Sequence, residues 1–82
     1  MSAQRDAEIA VGMVLHEVHE AMERFPAFNS SHEGIAVIRE EYLELEEEVF
    51  RNRGRTVSAR NEAMQLAAMA IRYIVDCSPE RA

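Results

Sequence analysis

The chain is expected to be all-α: an antiparallel bundle of three main helices, completed by dimerisation or a higher assembly. Three observations point there. Apolar residues recur at steps of three and four over three separate stretches, the spacing of one helix face. No stretch carries a strand signal. The stretches are divided by helix breakers, Phe25-Pro26 and Arg53-Gly54-Arg55.

The first helix is expected from about Asp6 to Arg24. Val11, Val14, Val18, Met22 and Phe25 form its apolar stripe, widened by Ile9 and Met13. Pro26 cannot continue a helix and pushes Phe25 towards an extended conformation. Ser30 or Ser31 is a natural N-cap for the second helix, with Glu33 close behind. That helix is expected to run to about Asn52, with Ile35, Ile38, Tyr42, Leu45 and Val49 as a buried seam. Gly54 is the expected C-terminal stop. Thr56 or Ser58 caps a third helix running to about Cys77, and Ser78-Pro79 follows it.

The third helix is apolar around most of its circumference, through Ala63, Met64, Leu66, Ala67, Ala68, Met69, Ala70, Ile71, Ile74 and Val75. Such a helix is expected to be buried on all sides. Two other helices of this length cannot enclose it, so a partner subunit is expected, as a homodimer or homotetramer.

Length and composition narrow the function classes. Eighty-two residues make one domain, 1–82, with a thin core. Cys77 is the lone cysteine, which excludes an intrachain disulfide and fits a reducing, cytoplasmic setting. No secretory leader is visible. The longest nearly apolar run, Leu66 to Val75, is interrupted by Arg72 and too short to span a bilayer, so no membrane is expected. Fifteen acidic residues against nine basic ones give a formal charge of −6, which argues against binding a nucleic acid polymer. All nine basic residues are arginine, so lysine nucleophiles and a P-loop lysine are ruled out.

The informative residues are carboxylates. Glu40, Glu41 and Glu44 form an E-E-x-x-E run on the second helix, and Glu62 opens the third among alanines and methionines. At about 100° per residue, Glu41, Glu44 and Glu48 flank the expected seam, while Glu40 and Glu47 point into water. Glu41 and Glu44, at i and i+3, share a face and can converge on one ion. Glu62 and Gln65 repeat that spacing, and Met69, Arg72, Tyr73 and Asp76 continue their face. If the second and third helices are antiparallel, the two pairs meet across a helical hairpin. Oxygen-only ligands suit hard cations such as magnesium or manganese. The bland reading is an acid-rich solvated face, which is what Glu46-Glu47-Glu48 suggests, with Glu62 merely favouring a helix dipole.

Other residues carry weaker signals. His16 and Glu20, at i and i+4 beside His19, lack a third zinc ligand and a cysteine placed to help. His32 reads as part of a helix cap, Phe28 and Tyr42 as packing, the methionines as core fillers, and Cys77 as unreactive.

Glu40-Glu41-Tyr42-Leu43-Glu44, a gap of seventeen residues and then Glu62 resembles the all-α nucleoside triphosphate pyrophosphohydrolases of the MazG type, whose signature is E-E-x-x-E followed by E-x-x-D. Two flanking segments strengthen the likeness to short MazG-like proteins: Pro26-Ala27-Phe28-Asn29-Ser30-Ser31-His32-Glu33-Gly34, and the Glu62-to-Arg72 stretch beginning Glu62-Ala63-Met64-Gln65. The resemblance covers about two-thirds of the chain. It implies magnesium-dependent conversion of a nucleoside triphosphate to monophosphate and pyrophosphate by water attacking the α-phosphorus. It makes Glu41, Glu44 and Glu62 catalytic metal ligands, with Gln65 where the family has Asp. An amide carbonyl can ligate magnesium but brings no charge and cannot act as a base. Arg60, Asn61 and Arg72 are the nearest candidates for substrate contacts. The alternative is a non-catalytic helical oligomer that keeps the metal or nucleotide scaffold as a binding or regulatory module.

Overall fold

The computed structural model describes residues 2–52 and 54–79, without the side chain of Asn52; Arg53, in the expected turn, lies outside the described residues. Three helices are present among the described residues: α1 (Ala3–Arg24), α2 (Ser31–Asn52) and α3 (Val57–Cys77). No strand occurs among the described residues.

Helix boundaries follow side-chain capping. α1 starts three residues earlier than expected because Ser2 Oγ accepts the Arg5 N–H at 3.1 Å. It ends at Phe25, whose N–H donates to the Ala21 carbonyl before extended backbone leads into Pro26. For α2, Ser30 is the cap: its Oγ accepts the Glu33 N–H at 3.1 Å, while Glu33 reaches back to the Asn29 N–H at 2.8 Å. This reciprocal pair resembles a capping box shifted by one residue. Thr56 caps α3 through the Ala59 N–H at 3.0 Å. Gly54 and Arg55 both have positive φ, 67° and 51°, and turn the chain between α2 and α3.

α3 is the central element, and α1 and α2 each pack on it. Contacts pair Gly34 with Tyr73 and Phe28 with Asp76, so α2 runs antiparallel to α3. Glu17 meets Gln65 and Pro26 meets Arg72, so α1 runs parallel to α3. The bundle is therefore up-down-up, antiparallel only between successive helices. Its core is small: Val18, Ala21, Ala68 and Met69, with Val14, Phe28, Val37, Ile38 and Ile71 packed around them.

Burial differs from the sequence expectation in phase. On α2, Ile35 (56% exposed), Tyr42 (49%) and Val49 (37%) face solvent. The stripe turned towards α3 is instead Gly34, Val37, Ile38, Glu41, Leu45 and Glu48, about 70° round the helix from the expected seam. Gly34 sets this phase. A Cβ there would lie 2.7 Å from Tyr73 Cδ2 and 3.3 Å from Phe28 Cδ2. Only a residue without a side chain lets α2 come this close to the Tyr73 ring. Glu41, two turns further along, then necessarily faces α3.

On α1, Val14 and Val18 do pack inward, but Val11, Met22 and Phe25 are exposed. On α3, Ala63 and Ile74 are exposed and most of the other apolar residues are half-buried. One chain does not enclose this helix on all sides. Among the described residues, no large side chain is completely buried.

Candidate carboxylate site and adjoining cleft

The inward phase of α2 and the antiparallel α2–α3 pairing bring the acidic residues together. Carboxylate oxygens of Glu41, Glu44 and Glu62 lie within 4.8 Å of one another, with Glu41 and Glu62 half-buried and Glu44 exposed. Like charges at this separation repel, and the effect is legible in their protonation. Burial, then the charges of Glu44 and Glu62, push the Glu41 carboxyl from its ordinary value of 4.5 up to about 7. Glu62 is also raised, first by burial, then by a hydrogen bond to Glu44 and the charges of Glu44 and Glu48.

The residues present fit a hard divalent ion. All three donors are carboxylate oxygens, they come from two rigid helices, and each would be favoured in its ionised form by a positive charge at the centre. Among the described residues, no ion pair links an arginine to Glu41, Glu44 or Glu62.

Gln65 has a different partner from the one its spacing suggests. Its Nε2 donates to Glu17 Oε2 of α1 at 2.7 Å, tying α3 to α1. Glu17 gave no signal in the sequence, where it sits between Glu20 and the apolar stripe as an ordinary helix carboxylate; only the packing of α1 on α3 brings it in.

A cleft of about 520 Å³ opens between α1 and α2, with α3 as its floor. Ala21, Phe28, Val37 and Met69 supply apolar walls. Glu17, Glu20, Glu33, Glu40 and Glu41 supply carboxylates, and Glu41 belongs to both the cleft and the cluster. Glu40 is exposed as expected but borders this cleft rather than pointing clear of the fold. Of the trio Glu46, Glu47 and Glu48, Glu47 is exposed and the other two are half-buried. Glu46 accepts from the Tyr42 hydroxyl at 3.0 Å, and Glu48 lies on the side of α2 turned to α3.

Arg72 is buried, at 4% exposure. Its guanidinium lies 4.4 Å from the Phe28 ring centroid, and Nη2 donates to the Pro26 carbonyl at 2.9 Å. A third contact runs from Nη1 to Met69 Sδ at 3.5 Å. It lines the cleft while anchoring the α1–α2 loop. Asp76 secures the same loop by accepting the Phe28 N–H at 3.0 Å. Arg60 and Asn61 are exposed and do not line the cleft. Arg60 precedes Glu62 by two residues and so projects about 160° away from it. His16 lies 4.0 Å from Glu20, an exposed i, i+4 pair.

Searches against protein-family models, curated proteins and solved structures give no significant match. No described helix is long and apolar enough to cross a membrane.

Proposed function

We propose that the chain is a divalent-metal-dependent nucleotide pyrophosphohydrolase, cleaving a nucleoside triphosphate with water to monophosphate and pyrophosphate. The observation that carries this reading is the convergence of Glu41, Glu44 and Glu62 to within 4.8 Å from two helices. Those residues occupy the positions of the E-E-x-x-E and following Glu motif shared with MazG-type enzymes. Magnesium or manganese held there would supply charge neutralisation for a polyphosphate and Lewis acidity towards water. Glu41, Glu44 and Glu62 are the holding residues, and their helices fix the carboxylates before substrate arrives. Arg72 is placed at the cleft wall by Phe28 and Pro26, and its positive charge, with that of Arg24, favours the approach of an anion to a cleft rich in carboxylates.

The reading includes a homo-oligomer. The chain exposes 6275 Å², whereas a self-contained monomer of 9.3 kDa exposes about 5000 Å². The excess, about 1300 Å², matches what each subunit buries in a permanent homodimer. Ile35, Tyr42 and Val49 of α2, Val11, Leu15 and Met22 of α1, and Ile74 of α3 are exposed apolar residues, and by helical phase they lie on the side away from the cleft.

A second reading, a metal- or nucleotide-binding module without turnover, is favoured by Gln65. Its amide is engaged by Glu17 and brings no negative charge to the cluster.

The test is pyrophosphate release from a panel of triphosphates with magnesium, alongside melting temperature with and without the metal. The hydrolase reading requires turnover that vanishes in Glu41→Gln and Glu62→Gln. Metal-dependent stabilisation without turnover leaves the binding module, and neither effect removes both readings. Sedimentation at micromolar concentration tests the oligomer; a monomer refutes it.

A further inference from the structure

We propose that the cleft beside the carboxylate cluster is a nucleobase site that selects bases carrying an exocyclic amino group, with Glu17 as the specificity-determining residue. This deepens the hydrolase reading and rests on it for the identity of the ligand as a nucleotide.

Three features of the cleft lead there. Its size, about 520 Å³, is that of a small-molecule pocket. Its walls suit a flat ring: Phe28, held under the Arg72 guanidinium at 4.4 Å, with Val37 and Met69 beside it. Its hydrogen-bonding capacity leans towards acceptors. Five carboxylates line it, Glu17, Glu20, Glu33, Glu40 and Glu41, against Arg24 and Arg72, and an ionised carboxylate only accepts. The cleft's cationic donors are Arg24 and Arg72, and Arg72 is turned to Pro26 and Met69. A flat ligand, apolar on its faces and carrying N–H at its edge, matches the carboxylates of this lining.

Glu17 is the carboxylate best fixed for this reading. It is half-buried, and the 2.7 Å bond from Gln65 occupies Oε2 and holds the side chain against α3. Oε1 remains to accept from a ligand. Guanine places two adjacent donors, N1–H and N2–H, against such a group. Adenine and cytosine offer one amino group beside a ring acceptor. Uracil and thymine present one N–H between two carbonyls, which a carboxylate repels. The order follows as guanine first, adenine and cytosine next, uracil and thymine last. Because Glu41 belongs to both cleft and cluster, one nucleotide can set its base against Glu17 and its phosphates over Glu41, Glu44 and Glu62.

The test is an NMR titration of the intact protein with guanosine, adenosine, cytidine, uridine and thymidine, without metal. Guanosine is expected to bind about tenfold or more tightly than uridine or thymidine, shifting the resonances of Ala21, Val37 and Met69. In Glu17→Gln, an isosteric change, the preference should fall below about twofold, with circular dichroism confirming the helices. Equal affinity for all five, no binding up to millimolar nucleoside, or shifts confined to other surfaces overturns the proposal. If the variant does not fold, the wild-type ranking and shift map decide alone. A parallel triphosphate assay separates this proposal from the hydrolase reading. Equal turnover of every triphosphate overturns the base assignment and leaves the hydrolase. Amino-selective nucleoside binding without turnover sustains the base site and removes the hydrolase.

Discussion

Replacing Glu41 with glutamine should stabilise the protein at neutral and alkaline pH, contrary to the usual effect of altering a half-buried side chain. In the folded chain its carboxyl is raised from 4.5 to about 7 by burial and by Glu44 and Glu62. Between those values the folded state holds a proton that the unfolded chain releases. Stability from this group is thus fully present below about pH 4.5 and is lost as pH rises through 7. The full linkage is about 3.4 kcal/mol at 1.36 kcal/mol for each pH unit. Glu41 is only half-buried, and screening by solvent reduces the figure to about 1–2 kcal/mol. The raised Glu62 carboxyl acts in the same direction. Urea unfolding of the wild type and Glu41→Gln from pH 5 to 8, in metal-free buffer, measures the difference. The variant should be the more stable above about pH 7, by about 1–2 kcal/mol, a rise of roughly 5–10 °C in Tm for a domain of this size. The advantage should shrink towards pH 5. A variant less stable at pH 8, or one whose pH slope matches the wild type, would show that Glu41 is not held among like charges, and the convergence at the cluster would fall with it.

The glycines offer a contrasting pair. Gly34→Ala should cost about 1–3 kcal/mol, because the new methyl meets the Tyr73 ring at 2.7 Å and α2 must retreat. Gly12→Ala has nothing within 4 Å of the added carbon and should gain about 0.5–1 kcal/mol from helix propensity; urea midpoints of the two variants check both signs. Arg72→Ala should lose about 2–4 kcal/mol, since it removes the Phe28 contact and the Pro26 bond from a buried position. Arg72→Lys should recover less than half of that loss by the same measurement, because an ammonium lacks the planar fork. Arg51→Ala should change stability by less than about 0.5 kcal/mol, its pair with Glu47 being exposed on both sides.

The helices themselves were written in local chemistry. Ser30 with Glu33, Thr56, Pro26 and Gly54 mark boundaries that the structure places within a few residues of the expected ones. The i, i+3 spacing of Glu41 and Glu44 likewise put two carboxylates on one face without reference to any other helix. The rotation of α2 was beyond that level. Hydrophobic periodicity identified Ile35, Ile38, Tyr42, Leu45 and Val49 as a face suited to burial, yet of these a single chain turns only Ile38 and Leu45 inward, beside Gly34 and Glu41. A glycine contributes nothing to a hydrophobic stripe, so the closest approach between two helices left no mark in the pattern.

What the sequence determined was each helix and its approximate ends, because those depend on residues a turn or less apart. What the tertiary structure decided was which face turns inward, which carboxylates meet, and that Glu17 accepts from the Gln65 amide. Those outcomes depend on contacts between residues some twenty to fifty positions apart, set by the fit of Tyr73 against Gly34 and of α1 along α3. Side-chain volume at such contacts has no periodic trace along a chain.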